Sequence, residues 1–142
     1  GGRAKKVSKG WGTGRHEYDL QATPSWMAGA DAPLALYCSH QDQVTALPSD
    51  ATLIAGNDHC PHAVVAWGSD PDRPEAISVQ AHPEYPRGYA DGLFEVLRDK
   101  GSITAQQASD AVSSTAAGAD GRRVAAWFVT YLRRHAAASA AA

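Results

Sequence analysis

A histidine and a glutamate separated by one proline form the pattern with the clearest catalytic chemistry in this sequence. His82, Pro83 and Glu84 follow a β-like run that ends at Gln80. Proline favours extended backbone in the residue before it, and in extended chain residues i and i+2 project to the same side. Glu84 is therefore expected to approach the His82 ring, fix its tautomer and favour the imidazolium that forms when the ring takes a proton. From spacing alone, an ordinary surface loop stays an open alternative.

A second polar cluster follows another short apolar run. After the strand-like residues 34–38, five consecutive side chains can form hydrogen bonds: Ser39, His40, Gln41, Asp42 and Gln43. A turn requires fewer such groups, so the cluster indicates a ligand contact at a second strand end. An Asx or Ser turn into the next segment is an equally good interpretation of the spacing.

The segment 58–62 contains two histidines and a cysteine, but it does not have the ligand spacing of a zinc site. His59, Cys60 and His62 have no matching ligand pair elsewhere in the chain. A loop is therefore the preferred interpretation, and no metal or other cofactor is predicted. Two cysteines, Cys38 and Cys60, are too few for a disulfide framework.

Five short runs are expected to form the strands that position these clusters. Each is apolar and bounded by Pro, Gly, Asn or Asp, or alternates with polar neighbours. They lie around residues 18–20 and at residues 34–38, 51–55, 63–67 and 76–80. The segment 68–75 has the composition of a hairpin connection. The glycine-rich residues 10–14 are expected to form a flexible turn, and residues 23–27 a short helix.

The period of apolar residues becomes helical after Pro86. A first helix is expected to end near Gly101 and to bury one face: Tyr89, Leu93, Val96 and Leu97. Thr104 and Gln107 have the spacing of a capping box for a second helix that runs to about Ser113.

A third helix is expected after Asp120, whose side chain can cap its first turn. Its apolar stripe has helical spacing: Val124, Trp127, Phe128, Tyr131 and Leu132. The basic residues 133–135 suit the negative end of the helix dipole. The Ala-rich residues 136–142 are of low complexity and are expected to fray.

Composition places these elements in one globular domain. The chain has 142 residues, of which 44% are hydrophobic and 20% charged, and a net charge of −2. This balance predicts neither nucleic-acid nor membrane binding, and the lack of an apolar signal core favours the cytoplasm. The basic residues before Glu17 are expected to form a solvated strand edge and loop rather than a docking patch. Strands followed by helices indicate an α+β fold, or the rear part of a larger α/β domain.

Taken together, the polar motifs resemble those of class I glutamine amidotransferases. The similarity is greatest to the small stand-alone members that are like the amidotransferase domain of GMP synthase, and it covers about residues 1–97. The matching segments are residues 9–14 with 16–18, residues 39–44 with 47–48, residues 55–57 with 60–61, and residues 80–84.

The resemblance implies a flavodoxin-like, three-layer α/β fold in place of α+β. It also implies a Cys-His-Glu triad in which a cysteine thiolate attacks the side-chain amide of glutamine and ammonia passes to a synthetase partner. His82 and Glu84 match the last two members of that triad. By the same resemblance, four residues contact the amino and carboxylate groups of the substrate: Ser39, His40, Gln41 and Asp42.

One part of the family pattern is missing from the 142 residues. The family nucleophile lies on a strand-to-helix turn written Gly-x-Cys-x-Gly, and no such motif occurs here. Cys60 has Asp58 and His62 two residues away, and Pro61 has no N–H to donate to an oxyanion; Cys38 lies within a strand-like run. Neither cysteine is expected to be the nucleophile.

We therefore expect the chain to be the C-terminal part of an amidotransferase, inactive by itself because it has no nucleophile elbow. Residues 1–100 would belong to the amidotransferase domain, residues 101–135 to a helical extension and residues 136–142 to an Ala-rich tail. Two alternatives stay open: a γ-glutamyl peptidase, if the site is completed, and a catalytically silent module of the same fold that binds a partner.

Overall fold

The computed structural model describes residues 1–140 and the side chains of residues 1–137. This part of the chain contains seven strands and three helices: β1 (Arg3–Lys6), β2 (Gly12–Leu20), β3 (Leu34–His40), β4 (Asp42–Ala46), β5 (Ala51–Gly56), β6 (Val64–Trp67), β7 (Ala76–Val79), α1 (Arg87–Asp99), α2 (Ala105–Thr115) and α3 (Gly121–Ala140). The five predicted strands are confirmed as β2, β3, β5, β6 and β7. Strands β1 and β4 were not predicted.

Five strands form the main sheet in the order β3-β2-β5-β6-β7, and β1 pairs with β4 in a separate two-stranded sheet. The ladders of both sheets are antiparallel over the described residues. Four antiparallel steps separate β3 from β7, so these two outer strands run in the same direction. Their carboxyl ends therefore lie at the same end of the sheet. A bridge between Tyr37 and His82 joins the two edges, so the sheet is curled.

The main sheet is the middle of three layers. Leu36 belongs to the apolar cluster that includes Trp127 of α3. Its neighbour Tyr37 belongs to a second cluster, with Phe94 of α1 and Ala111 of α2. Successive residues of a strand point to opposite faces of a sheet, so α3 covers one face and the α1–α2 pair covers the other.

Helix α2 approaches the backbone of β2 closely at one glycine. Gly14 has φ +89°, and a Cβ atom there would lie 2.9 Å from the Cα atom of Ala111. Residues other than glycine rarely adopt this φ, and the close approach of Ala111 leaves no space for a side chain, so both features favour glycine. The predicted capping box of α2 is confirmed, because Thr104 accepts from the Gln107 N–H while the Gln107 side chain accepts from the Thr104 N–H.

Two local predictions in the first part of the chain were wrong. The glycine-rich segment is not a flexible turn beyond Gly10, because β2 begins at Gly12 and pairs with His40 from its first residue. The segment 23–27 forms a turn rather than a helix, closed by a hydrogen bond from the Met27 N–H to the Pro24 carbonyl. The predicted hairpin connection at residues 68–75 is confirmed between β6 and β7.

The predicted buried face of α1 was partly wrong. The helix buries Ala90, Phe94 and Leu97, whereas Tyr89 and Val96 are exposed. The predicted stripe of α3 is better matched: Val124 and Trp127 are buried, Phe128 and Tyr131 are partly buried, and Leu132 is exposed. In both helices the apolar residues cover a wider part of the surface than is buried, and contacts with the rest of the fold decide which of them are covered.

Helix α3 extends further than expected. It continues to Ala140 and so includes much of the segment predicted to fray, while residues 141–142 lie outside the described part. The Asp120 carboxylate accepts hydrogen bonds from the Ala35 N–H and the Arg123 guanidinium, which ties the start of α3 to β3. Among the described residues, no helix is long and apolar enough to cross a bilayer. The domain boundaries at residues 100 and 135 stay predictions.

Candidate active site

The His82–Glu84 pair has the geometry expected from its spacing. The Nδ1 atom of His82 lies 2.8 Å from Oε1 of Glu84. A carboxylate oxygen accepts, so Nδ1 carries the proton and Nε2 is the ring nitrogen available for proton transfer. The His82 side chain is 28% exposed and that of Glu84 63%, so this end of the pair is open to a reactant.

Three contacts hold the segment that carries this pair. The His82 N–H donates to the Tyr37 carbonyl over 2.9 Å, which attaches the segment to β3. The Tyr85 ring stacks on the imidazole, with centroids 4.1 Å apart and planes 3° apart. Gly121 packs directly against the Pro83 carbonyl, where a Cβ atom would overlap it. The backbone and one ring face of His82 are therefore fixed.

The predicted substrate-contacting residues lie at the same end of the sheet as His82. Ser39 and His40 are the last residues of β3, Asp42 begins β4, and Gln41 links the two strands. The segment is thus a tight strand-to-strand connection and not a free loop. His40 is buried, Ser39 and Gln41 are half-buried, and Asp42 is exposed. His82 is hydrogen-bonded through its N–H to the Tyr37 carbonyl of β3, the strand that ends at His40.

Burial lowers the pKa of His40 to about 4, and three neighbouring imidazoles act in the same direction: His59, His16 and His82. His40 is therefore neutral at pH 7. Neither of its ring nitrogens makes a hydrogen bond of ordinary geometry among the described residues, and a contact with the Asp42 backbone, which raises the pKa, is the smallest of these influences. A neutral imidazole with two unsatisfied nitrogens is costly to bury.

A cluster of histidines around His40 was missed in the sequence. The histidine cluster comprises His16, His40 and His59; the His16 and His59 rings are 5.3 Å apart and the His40 and His59 rings 6.1 Å apart. Burial also lowers the pKa values of His16 and His59. His59 belongs to the segment 58–62, for which the sequence predicted an ordinary loop in preference to a metal site. Gly12 of β2 pairs with His40 of β3, and a Cβ atom on Gly12 would overlap the His59 ring. The absence of a side chain at Gly12 therefore lets the loop that carries His59 lie beside His40.

Neither cysteine has the environment of a nucleophile. Cys38 and Cys60 are both free and buried. Burial raises the pKa of the Cys38 thiol to about 12 and that of Cys60 to about 11. The thiolate is the attacking form, so both side chains are inert at neutral pH in the described structure.

The described residues contain no group of three or more His, Cys, Asp or Glu side chains that could hold a metal ion. A cavity of about 510 Å³ lies beside α3 and shares no lining residue with the His82–Glu84 pair. Among the described residues, the group best suited to catalysis is therefore the exposed His82–Glu84 pair at the edge of the curled sheet.

No protein-family model matches the chain. Among curated proteins, it is 40% identical to a glutamine-hydrolysing GMP synthase of Edwardsiella ictaluri over 57 residues, which are 40% of this chain and 10% of that protein. It is 29% identical to gamma-glutamyl peptidase 5 of Arabidopsis thaliana over 102 residues, which are 68% of this chain and 38% of the peptidase. The chain therefore spans only a small part of the curated relatives it matches.

Among solved structures, the chain resembles a glutamine amidotransferase of Thermotoga maritima. The TM-score is 0.67 at 15% identity, and the match covers 94% of this chain and 54% of that structure. At this identity the likeness concerns the fold. It confirms the α/β fold class expected from the motifs, with a curled antiparallel sheet and three helices.

Proposed function

We propose that this chain is part of a class I glutamine amidotransferase-like domain, as its similarity to glutamine-hydrolysing GMP synthase and its fold support, and that His82 and Glu84 are the acid–base pair of its glutamine amide hydrolysis centre. The observation that carries the proposal is the 2.8 Å contact between His82 Nδ1 and Glu84 Oε1. A carboxylate at Nδ1 orients the imidazole and stabilises its protonated form, so that Nε2 can accept and return a proton.

The thiolate would be supplied by a Gly-x-Cys-x-Gly segment outside these 142 residues. In the first step its sulfur bonds to the amide carbon of glutamine, and the imidazolium of His82 gives a proton to the departing nitrogen. Ammonia leaves, and a glutamyl thioester remains. In the second step His82 takes a proton from water, which attacks the thioester, so that glutamate and the thiol are released.

The segment that follows β3 would hold the polar end of the substrate. Ser39, His40, Gln41 and Asp42 lie at the same end of the sheet as His82, which supports this role. His40 is neutral at pH 7 because burial lowers its pKa. It would therefore contribute hydrogen bonds rather than charge to substrate binding.

Ammonia would pass to a synthetase partner, as the glutamine-hydrolysing GMP synthase relative suggests. The acceptor of that ammonia is a separate question, because the relative is matched over 10% of its length. The cytoplasmic location expected from composition stays a prediction.

The test is ammonia release from glutamine by two proteins. The 142-residue chain alone should release none. The product of the longer coding sequence, carrying the expected Gly-x-Cys-x-Gly segment, should release ammonia. In that product His82→Ala should abolish thioester formation, with a loss of about 10²-fold or more, and Glu84→Gln should cost less.

Two matched variants serve as controls in the longer product. His135→Ala and Glu95→Gln change the same residue types on α3 and α1, outside the site, and should leave the rate within about twofold. Unchanged rates for both His82→Ala and Glu84→Gln would disprove the pair's role. Ammonia release by the short chain that is lost on Cys38→Ala would show that the nucleophile is internal.

A γ-glutamyl peptidase is a second candidate, favoured by the similarity to the Arabidopsis peptidase over 102 residues. Such an enzyme would use the same pair on the same type of bond, with an amino acid or peptide as leaving group in place of ammonia. Comparing kcat/KM for glutamine and for γ-glutamyl dipeptides in the longer product separates the two. A preference for the dipeptide of about tenfold or more would favour the peptidase.

A further inference from the structure

A cavity of about 260 Å³ lies beside β4, and neither His82 nor Glu84 lines it. It is partly open to solvent and is lined by three parts of the chain: the turn after β1, strand β4 and the loop before β6. The polar side chains that line it include Lys9, Gln43, His59 and His62. Ligand pockets for drug-sized molecules usually measure about 300–1,000 Å³, so this cavity suits a small molecule.

The cavity has one charged side chain among its described lining residues, and that side chain is positive. Lys9 lines it, and none of its described lining residues is an aspartate or a glutamate. The Lys9 ammonium donates one hydrogen bond to the main-chain carbonyl of Asp58, which leaves two N–H groups for other partners. Arg3, Lys5 and Lys6 of the adjacent β1 are exposed and add to the field. A cavity with this lining favours an anion over a cation.

Gln43 supplies an independent sign of a ligand. Its side chain is 2% exposed and lines the cavity, and its Nε2 atom has no hydrogen-bond partner among the described residues. Burying an amide donor without a partner is unfavourable, because the group loses its hydrogen bonds to water. Such groups in native proteins normally meet a ligand, an ion or water. The amide N–H groups of Gln43 are suited to the oxygen atoms of an anion.

The two histidines of the cavity fit the same ligand class. His62 donates from Nδ1 to the Val44 carbonyl over 2.9 Å, which fixes the orientation of its ring. Burial, and next the positive charge of Lys9, lower the pKa of His59. A negative group between Lys9 and His59 would offset that repulsion.

We propose that this cavity is a binding site for a small carboxylate, held by the Gln43 amide and the Lys9 ammonium. A carboxylate presents two oxygens that accept hydrogen bonds, one for each of these donors. The proposal does not rest on the hydrolytic function, because Gln43 and Lys9 are neither members of the His82–Glu84 pair nor among the substrate-contacting residues 39–42, and no thiolate is required. A failed glutaminase assay would therefore leave it intact.

The experiment is a titration of the 142-residue chain with sodium acetate and sodium succinate at constant ionic strength, followed by ¹H–¹⁵N NMR. Saturable shifts are expected at the Gln43 side-chain amide and at His59. Because hydrogen bonds to a charged group are stronger than those between neutral groups, Gln43→Leu and Lys9→Gln should each weaken binding by about tenfold or more.

Lys6→Gln is the matched control for Lys9→Gln. It removes the same charge from exposed β1 but does not line the cavity, so binding should change by less than about twofold. If Gln43→Leu does not fold, Lys9→Gln still tests the proposal, because Lys9 is exposed and its replacement should not affect folding. Three results would overturn the proposal: no saturable shift at Gln43, equal weakening by Lys6→Gln, or binding of inorganic phosphate without binding of either carboxylate.

Discussion

The Tyr85 ring lies parallel to the His82 imidazole, with the two centroids 4.1 Å apart. Tyr85 in turn meets Tyr89 of α1 edge to face at 4.6 Å. The histidine is thus held between a carboxylate at its edge and an aromatic ring at its face. The neighbouring helix supports that ring, and so it contributes to the orientation of His82 without touching it.

Replacing Tyr85 by leucine should free the imidazole while leaving Glu84 in place. Stacked aromatic pairs contribute about 0.5–1.5 kcal/mol beyond their buried area, so Tyr85→Leu should lower the free energy of unfolding by about 1 kcal/mol. The His82 ring protons should also lose the upfield shift that the tyrosine ring causes. NMR and urea unfolding measure the two effects. Tyr85→Phe retains the ring and should preserve both; a similar loss in Tyr85→Phe would assign the effect to the hydroxyl.

The two cysteines should resist alkylation in the folded chain. With burial raising the pKa of Cys38 to about 12 and that of Cys60 to about 11, very little thiolate is present at pH 8. Modification by iodoacetamide should therefore be slower than that of the urea-unfolded chain by about 10²-fold or more. Mass spectrometry of the two cysteine peptides gives both rates. Rapid modification of Cys38 at pH 8 would contradict its buried placement.

Stability should fall as the pH falls through the range in which His40 titrates. The pKa of His40 is lowered to about 4 in the folded chain, whereas an unfolded histidine has a pKa of about 6.5. Between these values the unfolded chain binds more protons, so the native state loses stability on acidification, and the loss from this residue ends below about pH 4. We expect a decrease of the order of 3 kcal/mol from His40, measured by urea unfolding at several pH values.

His40→Leu should flatten this pH dependence, since it removes the titrating group. Ser39→Ala, in the same strand, should change the overall free energy of unfolding without changing its slope with pH. His16 and His59 act in the same direction, because burial lowers their pKa values too. A slope that is unchanged in His40→Leu would mean that other groups carry the acid sensitivity.

Two glycines should respond to alanine with opposite signs. Gly14 combines φ +89° with the close approach of Ala111, so Gly14→Ala should destabilise the chain by about 2 kcal/mol or more. Gly92 lies within α1 with open space around it, so Gly92→Ala should stabilise by about 0.5–1 kcal/mol. Thermal unfolding of the two variants gives the signs. Equal effects would contradict the packing of α2 on β2.

Most of the local features of this protein were predictable from residues close together in the chain. The His82–Glu84 contact follows from the two-residue spacing across Pro83, and the capping box follows from Thr104 and Gln107. The five strands of the main sheet were predicted for the same reason, since alternation and bounding turn residues act over a few positions.

Features that depend on distant partners were not predictable in this way. All four residues of β1 are exposed, so the strand has no apolar pattern that predicts it. It forms because Arg3 pairs with Ala46 and Lys5 with Gln43. The buried face of α1 is similar: periodicity defines a broad apolar arc, but packing against α2 and the sheet decides that Phe94 is covered and Tyr89 is not.

The sequence by itself determined the five strands of the main sheet, the three helices and the His82–Glu84 pair that follows β7. Only the tertiary structure decided that the sheet curls until Tyr37 and His82 meet, and that the loop before β6 brings His59 beside His40. The physical reason is the range of the interactions. Backbone preferences and i, i+2 contacts are set by neighbouring residues, whereas sheet closure and burial depend on groups that come together only when the whole chain has folded.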